Sequence, residues 1–324
     1  MLVDLLSLPN QYNVSVVGAD AKPWAALRQA KRTPITTPAG HAIGLPYVST
    51  SLSALYFLDG DATVNALRLT DGSQGFVYKL SVGPGQEAAF SVSPDDKRIA
   101  VSVLDFTGPS VTVTLYTDAL VGGNKKVIFT STTNYVWPVA WHAGLLVLAH
   151  AYGPYEEDIA KAAPDIDNPY AAISYHVVDP ATANRKVLMG SCTVSGPLSP
   201  SGSGCIQGGT IDWSGNTTDW SSNDWGTRSS AAAISPDGQW VAATDPNYPQ
   251  HMAIWRRADG LIANWVYSPG ISEWAGWLDN QTIIIGSYHD SSWTPVVVNV
   301  IRGGCVCPIG ARGFYAAKLP TDIV

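Results

Sequence analysis

Charge is scarce in this sequence. Lys and Arg number 19 and Asp and Glu 26 in 324 residues, so charged side chains make up 14%, where a soluble domain ordinarily carries about 25%. The net charge is −7 and no basic run exceeds a dibasic pair, which excludes the clustered cations that nucleic acid requires. Long apolar runs are missing too. The longest, at residues 144–151, falls far short of the roughly 20 residues that cross a bilayer as a helix, so no membrane span is expected in this chain.

Cysteine is limited to four residues. Cys305 and Cys307 stand too close for a zinc knuckle, and no second Cys/His pair follows them. Cys192 and Cys205 bracket a Ser/Gly/Pro loop; they are bridged in an oxidising compartment and buried free thiols otherwise. The opening residues are too short an apolar run and include an acid, so they do not read as a secretory signal. The chain is therefore cytoplasmic, or it is a mature or trimmed form. Sparse Lys with abundant Ser, Thr and Gly points to an extracytoplasmic or secreted protein, the cytoplasm being the alternative. Oligomeric state is not written in the sequence.

Reaction motifs are absent as well. There is no Gly-x-Ser-x-Gly, so a nucleophile-elbow hydrolase is unsupported. No His-Glu-x-x-His, phosphate loop, dinucleotide fingerprint or haem-attachment motif occurs, and nothing in the sequence requires a cofactor.

What is present is aromatic and turn-rich: 12 Trp, 14 Tyr, 30 Gly and 22 Pro, with 46% hydrophobic residues overall. That is enough to bury a large core and excludes disorder. The turns repeat. Residues 90–103 and 233–245 each read as a strand, a Ser-Pro-Asp-(Asp/Gly) turn and a second strand. Proline presets φ, and Asp or Gly tolerates the tight end. Weaker copies occupy residues 47–59, 139–150, 198–209 and 275–287. Further strand pairs follow most hairpins, as at 111–117 with 126–131 and at 253–256 with 263–268. The second strands end near Asp59, Val103, His150, Gly209, Asp245 and Ser287, at intervals of 44, 47, 59, 36 and 42 residues. This is the spacing of four-stranded blades.

The Ser-Pro-Asp-Gly hairpin followed by Ile/Val-Ala resembles the WD40-like repeats of TolB-type propellers. Residues 93–103 and 235–245 match well, and the resemblance spans roughly residues 40–318. It implies an all-β propeller of four-stranded blades, most simply six. Seven is the alternative, using residues 13–17 and 33–37 as remnants. The expected organisation is an N-terminal extension at 1–39, packing on or closing the ring, and a propeller at 40–324. Propellers of this type serve as interaction platforms, gating domains and enzymes, so the fold leaves function open. Two helices are expected, at residues 20–32 and 154–163.

Three groups of residues could carry chemistry. Asp59, Asp61, Asp105, His150, Asp245 and His289 lie at or just past second-strand ends, which a radial arrangement brings to one face. His150, His289, Asp105 and Asp245 could there act as acid and base, or hold a divalent metal. The simpler account is that strands end in turns and turns favour Asp. The second group is Asp212-Trp213, Asp219-Trp220 and Asp224-Trp225. Indoles beside carboxylates suit a sugar-binding surface; alternatively Trp213, Trp220 and Trp225 pack the blades. The third is the insertion at 151–171 with Tyr152, Tyr155 and several acids, joined on the same face by Tyr248, His251, Tyr288 and Trp293. It could gate a ligand or be a solvated loop. The resulting expectation is a binding module that presents Trp and Tyr to a glycan, peptide or protein partner. The alternative is a lyase or hydrolase, possible with metal assistance, acting on a carbohydrate-like substrate.

Overall fold

The computed structural model describes residues 2–8, 11–17, 23–31, 35–36, 42–43, 48–60, 62–152, 174–188, 203–206, 209–219, 232–245, 248–267, 271–289, 292–302, 304–306 and 314–315. All regular structure among them is β. The first sheet holds β1 (Leu2–Leu8), β2 (Gln11–Val17) and β3 (Pro23–Lys31); a short pair, β4 (Ile35–Thr36) and β5 (Ala42–Ile43), follows. The second sheet is β6 (Val48–Thr50), β7 (Ala54–Asp59), β8 (Thr63–Arg68) and β9 (Gln74–Lys79). The third is β10 (Gln86–Val92), β11 (Arg98–Asp105), β12 (Thr112–Ala119) and β13 (Lys126–Ser131). The fourth is β14 (Asn134–His142), β15 (Leu145–Tyr152), β16 (Ser174–Val178) and β17 (Arg185–Leu188).

A seven-stranded sheet comes next. It joins β18 (Ser203–Ile206), β19 (Gly209–Ile211) and β20 (Thr217–Asp219) to β21 (Ala232–Ile234), β22 (Trp240–Asp245), β23 (Tyr248–Arg256) and β24 (Ile262–Tyr267). The joint is the pairing of Ser203 with Ala233. The last sheet is β25 (Ile271–Trp277), β26 (Thr282–His289), β27 (Ser292–Asn299) and β28 (Gly304–Val306). Finally β29 (Phe314–Tyr315) returns to pair antiparallel with β1. Pairing is antiparallel throughout, the second, third, fourth and last sheets are simple meanders, and sheets touch one another: β3 meets β7, β6 meets β10, β10 meets β14, β23 meets β25 and β26 meets β29. The molecule is an all-β propeller.

The Ser-Pro-Asp turn shows why its residues recur. Ser93 Oγ donates to Asp95 Oδ1 at 2.7 Å and accepts the Arg98 N–H at 2.9 Å. Ser235 repeats this with Asp237 at 2.6 Å and Trp240 at 2.9 Å. The fourth turn position takes a left-handed φ of +70° at Gly238 and +58° at Asp96, a conformation that glycine adopts freely and Asp tolerates. Both turn serines thus bond within their own hairpin. The degenerate copy at residues 139–150 makes its tight turn with Ala143 and Gly144, both at positive φ.

Burial grades across each meander. In the third sheet β10 and β11 are almost wholly buried, whereas β13 is half exposed. Inner strands are covered by neighbouring sheets on both faces and so read as continuous apolar runs. Polar groups then tie sheet to sheet. Asp96 accepts Tyr56 Oη at 2.7 Å and Ser53 Oγ at 2.6 Å, and Tyr78 Oη donates to Asp118 at 2.7 Å. Asp59 accepts the Lys31 N–H at 3.0 Å, Thr117 Oγ1 donates to the Pro180 carbonyl at 3.3 Å, and Asn264 Nδ2 donates to the Val300 carbonyl at 2.8 Å. Arg98 lies over the Trp141 indole, 4.8 Å from its centre.

One sequence expectation is overturned here. Residues 20–32, read as a helix, contain strand β3, which pairs with β2 from Gln11–Lys31 to Val17–Pro23. The Ala, Leu, Arg and Gln of this stretch are good helix formers, but propensity differences amount to only tenths of a kcal/mol per residue, and pairing along the whole length of β2 outweighs them. Pro23 is tolerated because it is the first residue of the strand. The second expected helix, at 154–163, lies outside the described residues, as does Cys192. Among the described residues no helix is long and apolar enough to cross a membrane.

Candidate functional site

Register builds the site. β15 and β16 pair with Leu148 opposite His176 and His150 opposite Ser174. Alternation along each strand places Leu148 and His150 on one face of the sheet, together with Ser174, His176 and Val178. His150 and His176 are diagonal neighbours there, and their rings stack with centres 4.6 Å apart and planes 23° from parallel. His150 is 2% exposed and its Nδ1 shares a 3.1 Å hydrogen bond with Ser174 Oγ. His176 Nε2 is buried and has no hydrogen-bond partner.

The two rings line a cavity of about 310 Å³ together with Phe129, Val136, Leu148 and Arg185. Phe129 comes from β13, so the cavity lies between the third and fourth sheets. Beneath it Ala100, Leu115, Val136, Trp141, Leu146, Leu148 and Val178 form a dry cluster. This environment withholds protons from both imidazoles. Burial lowers the pKa of His150 to about 4, helped by the positive charge of Arg185. His176 is also lowered to about 4, by burial first and then by His150 and Arg185. Both rings are neutral at pH 7.

The other expected site residues are placed as follows. Asp105 ends β11 and caps its own turn: the carboxylate accepts Thr107 N–H at 2.9 Å, Thr107 Oγ1 at 2.6 Å and Gln86 Nε2 at 2.8 Å. Those bonds, led by the Thr107 hydroxyl, hold its carboxyl below the usual range. Asp245 and His289 end β22 and β26, paired in register with Tyr248 and Ser292; their side chains lie outside the described residues. So do those of Tyr152, Tyr288 and Trp293, and Tyr155, Trp220, Trp225 and Asp61 lie outside altogether.

Trp213 is described, and it is not at the surface. It is 0% exposed and meets Tyr175 edge-on at 5.6 Å. The reason is its neighbour. Asp212 folds the turn by accepting Ser214 and Asn216 N–H groups at 3.0 and 2.8 Å and Asn216 Nδ2 at 3.0 Å. This Asp-Trp pair is a turn and a core residue, and its indole is out of reach of a surface sugar.

His176 and Arg185 were missed by sequence reasoning. The available signal was alternation: in Ser174-Tyr-His-Val-Val178 the even positions share a face, which sets an imidazole at a normally apolar place. Among the described residues no three His, Cys, Asp or Glu side chains are grouped to hold a metal ion.

No family model and no curated protein matches this chain. Solved structures do resemble it. Dihydro-heme d1 dehydrogenase NirN in complex with DHE aligns at 12% identity and TM-score 0.51, over 96% of this chain and 73% of that one. TolB from Acinetobacter baumannii aligns at 10% identity and TM-score 0.41, over 94% of this chain and 61% of that one. Oligogalacturonate lyase in complex with manganese aligns at 9% and 0.42, over 90% and 71%. At these identities the likeness is one of fold alone, and the class is the β-propeller.

Proposed function

We propose that this propeller is a binding module, holding a glycan, a peptide or a protein partner on the loop face at its strand ends rather than carrying out a reaction. The observation that supports this is the occupation of the two expected catalytic side chains that are described. Asp105 directs its carboxylate to Thr107 and Gln86 in a turn. His150 is a buried imidazole whose pKa of about 4 makes it a weak base at pH 7. The alternative, a lyase or hydrolase of a carbohydrate-like substrate with or without a divalent metal, would have to draw on His289 and Asp245.

The pairing of β29 with β1 supports a reading in which the N-terminal strands close the ring. Taking β18–β20 and β21–β24 as separate blades supports seven, the alternative reading of the repeats. We place the protein outside the cytoplasm.

The test is a panel of oligosaccharides and peptides, followed by calorimetry for binding and by product analysis for turnover. Binding without cleavage is expected. Cleavage of any bound glycan, abolished by His289→Ala or Asp245→Asn, would establish the enzyme instead.

A further inference from the structure

The lining of the cavity beside His150 is of two kinds. Phe129, Val136, Leu148 and Val178 are apolar, whereas Asn134, His176 and Arg185 are polar. Arg185 is exposed on the outermost strand of its sheet, directly across from Val178. No carboxylate pairs with this guanidinium among the described residues, whose side-chain ion pairs are Lys97–Asp95 and Arg256–Asp259. His176 lines the same space with a buried Nε2 that lacks a partner. Buried polar atoms without partners are uncommon and call for an explanation.

We propose that this inter-sheet cavity binds a small organic carboxylate with a compact apolar body. Its carboxylate pairs with the Arg185 guanidinium and accepts a hydrogen bond from His176 Nε2, and its body lies against Phe129, Val136, Leu148 and Val178. The cavity is at the small end of ligand pockets, which limits the body to a single ring or a short branched chain. A guanidinium presents a planar fork that matches a carboxylate. Inorganic phosphate or sulfate would set charged oxygens against the apolar wall, where nothing compensates their desolvation. A sugar would do the same with hydroxyls. The carboxylate probes below differ from the oligosaccharide and peptide panel that tests the proposed function, so either assignment can fail without the other.

Phenylacetate and 3-methylbutanoate are suitable probes, titrated into the full chain at pH 7 by calorimetry, with phenylacetamide as the uncharged counterpart. Both carboxylates should bind in the micromolar to low millimolar range, and the amide at least tenfold more weakly. Arg185→Gln, a change at an exposed position, should weaken the carboxylates at least tenfold and leave the amide unchanged. Binding should also shift the imidazole resonances of His176. Failure of both carboxylates to bind, equal affinity for acid and amide, or full affinity in Arg185→Gln would overturn the assignment. If Arg185→Gln proves poorly folded, the acid and amide comparison on the unaltered chain decides.

Discussion

Replacing Asp96 by glycine sets two effects against each other. Asp96 occupies a left-handed conformation, φ +58°, at the turn position where the sister repeat has Gly238 at +70°. Glycine relieves that strain, worth about 1 kcal/mol for a residue as tolerant as Asp. The carboxylate, however, also accepts Tyr56 Oη at 2.7 Å and Ser53 Oγ at 2.6 Å from the second sheet. Tyr56 is 4% exposed. Its hydroxyl loses a charged acceptor, which costs about 1.5–3 kcal/mol. The Ser53 bond is exposed and adds roughly 0.5 kcal/mol. The inter-sheet bonds win, and Asp96→Gly should destabilise by about 1–2.5 kcal/mol despite restoring the preferred turn residue. Urea denaturation of Asp96→Gly, Tyr56→Phe and the double variant measures this, with an expected coupling above about 1 kcal/mol. A neutral or stabilising Asp96→Gly, or strict additivity with Tyr56→Phe, would refute the reasoning.

Three further outcomes follow from the same geometry. Ser93→Ala and Ser235→Ala each remove a buried donor and acceptor from equivalent turns; each should cost about 1–3 kcal/mol. Because the turns belong to different sheets, the double variant should be additive within about 0.5 kcal/mol in urea melts. Trp213→Ala empties a fully buried site beside Tyr175 and should cost about 3–5 kcal/mol, read as a lowered melting temperature. Ending the chain at residue 313 removes β29 from β1, and the melting temperature should fall if that pairing closes the ring.

How far the sequence could be read depends on how local the chemistry is. Ser93-Pro-Asp-Asp96 and Ser235-Pro-Asp-Gly238 announce their hairpins because the bonds made by each turn serine lie within the turn and its flanking strand start. From two such turns the propeller is legible. Strand β3 was not, since Pro23–Lys31 is strand only through its partner β2. Trp213 stayed open between a surface and the blade core because an Asp-Trp pair reads alike whether Asp212 binds a ligand or folds a turn; the structure buries it. His150 was singled out as a histidine at a strand end, yet the residue that gives it meaning is His176, two positions off its cross-strand partner Ser174. That pairing spans the insertion at 151–171, and no local pattern sets its register.

The protonation of His150 and His176 tests the account most directly, because the binding reading rests on a His150 that is too weak a base for catalysis. Long-range nitrogen–proton spectra of the imidazoles, recorded from pH 7 to pH 3.5, give the pKa of each ring. Both should be neutral until near pH 4. The unfolded chain, with histidines near 6.5, then takes up protons that the folded chain refuses. Stability should therefore be full above about pH 6.5 and decline as pH falls toward about 4, by up to roughly 3 kcal/mol for one ring at about 1.4 kcal/mol per pH unit. A His150 that titrates near 6.5 in the folded protein would contradict the account, and would restore it as an acid or base at neutral pH.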